Sequence, residues 1–436
     1  MKKFILAVIV ITIATAVAIA YERYFVQSEF GPSSLLGVSL LLLFALALTV
    51  TLFSRGTRFH EAVTGVWLAA LSVGLTFVVV DLVAGVVLVR PLSPELSPDK
   101  IRHHKLVPNT DSRFEQPDFS YIQHVNNLGL RGKESSFKKP SGRYRVLMLG
   151  DSFTMGKGVE DDQTFSALLE VSLNQRRVCG ATTFEMLNGG VDSYAPVLSY
   201  LQLSGDLAPL EVDLVLLDLD LSDLLQEAAY RMEAVYDSTG EIIGVPGSTR
   251  PILFNQRIRS WIDQHTFFTR LLLFHINKWL GYKDFTVQGM VTRANPELIK
   301  YTLAEDKINR DEQWAMIFAS IAKIKKLADE RSTAFALVIY PWGHQVSETE
   351  WMPGRYNFIP EGATASDKYL DTIYQRSKQL GIELVDLFPA FRAYKGAAPL
   401  YFKYDMHWTV EGQKVVALAL EKYIVERHLA KLCKSN

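Results

Sequence analysis

Two short segments far apart in the chain hold residue types that can do chemistry together. Gly150-Asp151-Ser152-Phe153-Thr154 follows the apolar run Tyr144–Leu149. A serine at a strand-to-helix turn exposes its hydroxyl, and N–H groups at the turn can face a developing oxyanion. Near the other end lies Asp405-Met406-His407-Trp408-Thr409. His407 could take the proton of Ser152 Oγ, with Asp405 fixing the imidazole tautomer and stabilising the imidazolium. Ser152, His407 and Asp405 together suit nucleophilic attack on an acyl ester. Thr409 is the expected N-cap of a last helix, holding this turn at the top of a sheet. A lone Gly-Asp-Ser is common in turns; the pairing of both segments carries the reading.

Other candidates have blander explanations. Asp218, Asp220 and Asp223 could hold a hard cation, but caps and solvated turns explain them better. His103, His104 and His124 show no metal-ligand spacing and read as structural. His344 follows Pro341-Trp342-Gly343 and is a candidate rim residue. Gly156-Lys157-Gly158 lacks the rest of a phosphate-binding loop. No metal and no cofactor is expected.

The elements that must position these residues are legible as apolar runs. Strands are expected at Tyr144–Leu149, Thr183–Leu187, Val212–Leu217, Ala334–Tyr340 and Ile382–Asp386. Helices are expected over 162–176, 311–331, 366–380 and 410–432. Strands alternating with helices predict an α/β domain with a parallel sheet, covering 144–436. In such sheets ligands bind beyond the carboxyl ends of the strands, where Ser152 would sit. The alternation breaks over about 226–310, an insertion. Its segment Ile252–Leu280, rich in Phe, Trp, Leu and Arg, could lie on a membrane or line a groove. A helix packed on its own domain is the commoner outcome.

The amino-terminal part differs. Phe4–Tyr21, Phe30–Ser54 and Ala62–Val80 contain no Asp, Glu, Lys or Arg, and the third can extend to Val89. Each reaches the roughly 20 residues a bilayer requires. Residues 1–90 are therefore expected to form about three transmembrane helices, near 4–21, 33–54 and 62–89. The first also fits a cleavable signal peptide. Lys2, Lys3, Arg55 and Arg58 put one side in the cytoplasm, and everything after Arg90 outside it. Asp81, in or near the third span, is a functional candidate unless it reaches water at the outer interface. Residues 91–143 are expected as linker and stem, opening on the proline-rich 91–100. Over the 436 residues, 46 Lys plus Arg against 47 Asp plus Glu give a net charge of −1, which argues against a nucleic-acid partner. Two cysteines exclude a disulfide-rich scaffold.

Gly150-Asp151-Ser152 and Asp405-x-His407 resemble the first and last blocks of the SGNH, or GDSL, hydrolase family. Asn126-Asn127-Leu128-Gly129-Leu130-Arg131 resembles a stem segment of its membrane-anchored bacterial relatives. The resemblance covers roughly 144–223 and 334–432. It implies a flavodoxin-like three-layer sandwich, a Ser–His–Asp triad, and acyl-ester chemistry on lipids or glycans. The middle blocks depart from the pattern. Ser193 stands where the family has the glycine of its oxyanion hole, with Gly190 nearby; Ser222 stands where it has asparagine. The expected oxyanion donors are therefore Ser152, Gly190, Ser193 and Ser222. Related extracytoplasmic O-acetyltransferases also lack a standard third block. The implied function is ester hydrolysis; the alternatives are O-acyl transfer to an envelope polysaccharide, with a membrane acyltransferase as a further partner, and an inactive binding or scaffold domain. In a flavodoxin-like sheet the first and last helices lie side by side, so Cys179 and Cys433, at their ends, are candidates for a disulfide in an oxidising compartment.

Overall fold

The computed structural model describes residues 58–88, 96–115, 118–176, 183–247, 262, 265–269, 272 and 296–429. The chain divides into two compact units. One comprises 1–91 with 252–293; the other comprises 92–251 with 294–436.

The larger unit is built on five parallel strands: β1 (Arg143–Leu149), β2 (Thr183–Asn188), β3 (Leu214–Leu219), β4 (Ala334–Ile339) and β5 (Glu383–Asp386). Their order across the sheet is β5-β4-β3-β1-β2, so the sheet reverses direction of growth between β1 and β3. That is the doubly wound order with its switch point beside β1, the place where such sheets bind ligands. Residues 144–149 and all of β3 are buried, because helices cover both faces of a parallel sheet. On one face the helices Phe165–Arg176 and Val410–Ile424 pack together; Pro196–Ser204 packs on Asp311–Glu330. Ser172 Oγ donates to Glu421 Oε2 at 2.9 Å, tying the first pair. The first and last helices are thus neighbours as expected, but Cys179 and Cys433 lie outside the described residues.

Three boundaries differ from expectation. β3 runs to Leu219, two residues past the predicted end, because Asp218 is tolerated inside the strand by a hydrogen bond from Thr154 Oγ1. From Leu92, the expected linker and stem belong to the larger unit. They form two hairpins, Leu96–Pro98 with His104–Leu106 and Thr110–Glu115 with Ser120–Val125. The expected insertion at 226–310 shrinks to 252–293, since Asp223–Glu233 is a regular helix and Asp311–Glu330 is preceded by short turns at 296–302. That segment groups with the amino-terminal unit.

In the smaller unit the third apolar run lies on a 31-residue helix, Arg58–Leu88. The first two runs lie outside the described residues. The described side chains of the helix form a continuous stretch only over 72–85. Among the described residues no helix is long and apolar enough to cross a membrane.

Candidate active site

β1 ends at Leu149 and the chain turns sharply. Gly150 has φ of 151°, and a Cβ there would lie 2.2 Å from Thr154 Oγ1, so the turn requires glycine. Asp151 caps the four-residue helix Ser152–Met155 by accepting the Phe153 N–H at 2.8 Å. This geometry presents Ser152 Oγ toward His407. The two are 2.7 Å apart at Nε2. His407 Nδ1 contacts Asp405 Oδ1, which also accepts the His407 backbone N–H at 2.9 Å. Residues from opposite ends of the domain, expected to act together, are therefore joined in one hydrogen-bonded chain. Burial pushes the Asp405 carboxyl up, but His407 and Lys157 outweigh it and hold it at about 2. The ring of Phe153 lies 4.6 Å from the imidazole, and Trp408 lies 5.0 Å from Phe153, fixing the ring plane from below.

The loop bearing Asp405 and His407 is itself pinned. Phe402 N donates to His407 O at 3.0 Å and Thr409 N to Leu400 O at 2.9 Å, closing it like a hairpin. Thr409 caps the last helix as expected, its Oγ1 accepting Gly412 N–H at 3.3 Å. Asp118, in the stem hairpin, accepts the N–H groups of Tyr404 at 2.6 Å and Asp405 at 2.8 Å. Burial pushes the Asp118 carboxyl up despite those two bonds.

A second buried group of the stem holds the turn that bears Ser152. Arg131 ion-pairs with Asp161 at 2.7 Å and donates to the carbonyls of Met155 (3.0 Å), Gly156 (2.7 Å) and Val159 (2.6 Å). Asn188, at the end of β2, donates to Thr154 O at 2.9 Å. Lys157 Nζ lies 3.1 Å from Asp192 Oδ2. Burial raises the Asp192 carboxyl, but Lys157 and His407 together bring it below the ordinary range. Sequence reading missed Asp118, Arg131, Lys157, Asn188 and Asp192 as site residues. For Arg131 a signal existed in the stem segment; for Asp118 none did, because nothing local ties it to residue 405.

The expected oxyanion donors separate. Ser193 has φ of 61°, a left-handed conformation that glycine adopts freely, which accords with a glycine in the related pattern. Its N–H and that of Ser152 donate to no atom among the described residues. Gly190 does not fit the expectation: its N–H donates to Asn188 Oδ1 at 3.1 Å. It is glycine for space, since a Cβ would lie 2.2 Å from Met155 N. Ser222 is corrected too, because its hydroxyl proton is committed to Asp220 Oδ2 at 2.5 Å. That carboxylate also accepts Ser222 N–H (2.8 Å), Tyr340 OH (3.1 Å) and Trp342 Nε1–H (2.6 Å). Asp151 and Asp223 are pushed well up by burial and by Asp220 beside them. Among the described residues no group of three His, Cys, Asp or Glu could hold a metal. His344 is buried, not at a rim; burial pushes it down to about 3, and its Nε2 meets Thr302 Oγ1 at 2.8 Å.

Residues 301–435, which include Asp405 and His407, match the family described as SGNH hydrolase-like domain, acetyltransferase AlgX. Among solved structures, an acetyl xylan esterase, AlAXEase, is 13% identical over 64% of this chain and 99% of its own, with a TM-score of 0.34. A lipase/acylhydrolase from Enterococcus faecalis is 10% identical over 65% and 96%, with a TM-score of 0.35. Axe2, an acetylxylan esterase from Geobacillus stearothermophilus, is 13% identical over 64% and 94%, with a TM-score of 0.34. No curated protein matches the chain.

Proposed function

We propose that this chain, an SGNH-type acyl esterase or acetyltransferase, is a membrane-anchored serine enzyme that takes an acyl group onto Ser152 and passes it to a glycan hydroxyl. The observation that carries the reading is the hydrogen-bonded chain from Ser152 Oγ through His407 to Asp405. Ser152 Oγ attacks the ester carbonyl while His407 Nε2 takes its proton; Asp405 steadies the imidazolium. The oxyanion of the tetrahedral intermediate finds the N–H groups of Ser152 and Ser193. Collapse expels the donor alcohol, which takes the proton from His407. An acceptor hydroxyl then gives its proton to His407, attacks acyl-Ser152 and restores the serine. Water in place of the acceptor completes hydrolysis by the same steps. The description of the family matched at 301–435 as an acetyltransferase favours transfer. A membrane acyltransferase supplying the donor is the partner this reading calls for.

Anchoring rests on the three long uncharged runs in 1–90, and orientation on Lys2, Lys3, Arg55 and Arg58. The catalytic unit would then work outside the cytoplasm. A reporter active only outside the cytoplasm, fused after Asn436, should be active, and one inserted near Gly56 should report cytoplasm; the reverse pattern defeats the topology.

The enzymatic test is covalent. Wild-type protein should react with a fluorophosphonate at Ser152, and a labelled acetyl ester should leave acetyl on that residue. Adding an oligosaccharide acceptor should move the label to the sugar. Ser152→Ala should do neither. A folded wild-type protein that never labels would be a binding or scaffold domain, and label appearing only as free acetate would make it a hydrolase.

A further inference from the structure

Asp81 interrupts the apolar helix Arg58–Leu88 and is 3% exposed. A carboxylate there needs its lone pairs satisfied from within the protein. Its partners come from the insertion. Asp81 accepts the backbone N–H groups of Phe267 (2.8 Å), Phe268 (2.5 Å) and Thr269 (3.3 Å), and the Thr269 hydroxyl at 2.5 Å. Consecutive N–H groups converging on one carboxylate are how a helix start is capped, here by a side chain from another segment.

The neighbouring positions on the same helix face complete a seat. Phe77, four residues before Asp81, has its ring 6.5 Å from that of Phe268. Gly85, four residues after it, abuts His265: a Cβ there would fall 2.0 Å from the His265 carbonyl oxygen. Spacing of four keeps all three on one stripe. Among the described residues, Val73, Leu75, Val78, Val79, Val80 and Val83 of the helix are exposed, as are Phe268 and Leu272 of the insertion. Exposed aliphatic residues at successive positions around a helix point to hydrocarbon as the solvent, not to a single protein groove.

We propose that residues 265–269, with Leu272, belong to a second membrane element, seated on the third apolar helix through Phe77, Asp81 and Gly85, and immersed beside it in the acyl chains of a phospholipid bilayer. This rests on the membrane anchoring proposed above. The segment Ile252–Arg293 groups with the helix in one compact unit. Asp81 is then a docking residue whose charge never needs water.

The experiment uses full-length protein in vesicles of phosphatidylethanolamine and phosphatidylglycerol. Cys179 and Cys433 are replaced by serine, and a nitrobenzoxadiazole fluorophore is carried on a single cysteine at Val79, Phe268 or the exposed Ile243. Quenching by a nitroxide on the lipid tail is compared with quenching by aqueous iodide. Probes at 79 and 268 should both be quenched from the lipid, and the probe at 243 from water. Asp81→Ala, by losing the charge-assisted hydrogen bonds, and separately Gly85→Val, by driving a side chain into the His265 carbonyl, should lower the lipid-to-aqueous ratio at 268 by about tenfold or more and leave the ratio at 79 unchanged. A probe at 268 quenched from water while that at 79 is quenched from lipid overturns this proposal and leaves the anchoring standing. Both quenched from water overturns the anchoring as well. A ratio at 268 indifferent to both substitutions removes Asp81 and Gly85 as the seat.

Discussion

Replacing Asp118 by alanine strips the loop of Asp405 and His407 of the carboxylate that holds two of its N–H groups, at 2.6 and 2.8 Å. A buried charge-assisted hydrogen bond contributes about 1.5–3 kcal/mol. Asp118 is half-buried, so solvent screening reduces the pair to about 2 kcal/mol in all. The larger consequence is positional. Asp405 keeps its own bonds to His407, but its backbone is released on one side. Displacing a catalytic group by about 1 Å can cost about 10²-fold, whereas losing the orienting carboxylate outright costs about 10⁴-fold. Asp118→Ala should therefore lower kcat on nitrophenyl acetate by about 10- to 100-fold with little change in KM, because Asp118 acts through the loop N–H groups it holds. Asp118→Asn keeps one acceptor oxygen and should fall between the two. The assay pairs kcat and KM with urea unfolding of each variant. Unchanged kcat accompanied by a stability loss would refute the reasoning and leave Asp118 as a strut of the stem. A raised KM at constant kcat would move it into a substrate-binding role.

Three further outcomes follow from the same geometry. Arg131→Lys cannot reproduce the four-partner fork onto Asp161 and three carbonyls, so it should lose about 3–5 kcal/mol in urea unfolding; a loss within error would mean the loop after Ser152 holds itself. Ser222→Ala should leave single-turnover acylation unchanged and cost about 1 kcal/mol, because the hydroxyl serves Asp220 and not an oxyanion; a large drop in acylation rate would return Ser222 to the oxyanion hole. Burial pushes Asp218 from 3.8 up to about 7, against the opposing Thr154 bond. The folded state thus keeps a proton the unfolded chain gives up, so this contribution is full below 3.8 and is lost as pH rises through about 7. Stability should fall across that window by on the order of 4 kcal/mol from this group, and Asp218→Asn should flatten the slope; an equal slope in the variant would assign it elsewhere.

The primary structure by itself determined the strands, the turn that bears Ser152 and the pairing of Asp405 with His407. Those are local facts. A continuous apolar run makes a buried parallel strand, a glycine with positive φ makes the turn after it, and Asp405 and His407, two positions apart, can bond each other directly. The start of Val410–Ile424 was legible for the same reason, since Thr409 caps it from one residue away. What depends on distance was decided only by the fold. Ser222 and Gly190 sat at the right positions in the chain to serve an oxyanion. Their hydrogen-bonding capacity was taken instead by Asp220 and Asn188, partners whose orientation a linear pattern does not encode. Asp118 and Arg131 carry no chemical signature of their own, and become part of the candidate site because the stem folds over the loops that bear Ser152, Asp405 and His407. Asp81 and Phe268 are 187 residues apart, and most of the chain between them, 92–251, belongs to the other unit. A carboxylate in an apolar run announces that some partner must exist; only the tertiary structure could say that the partner was a row of backbone N–H groups, which every residue type carries and no sequence pattern marks.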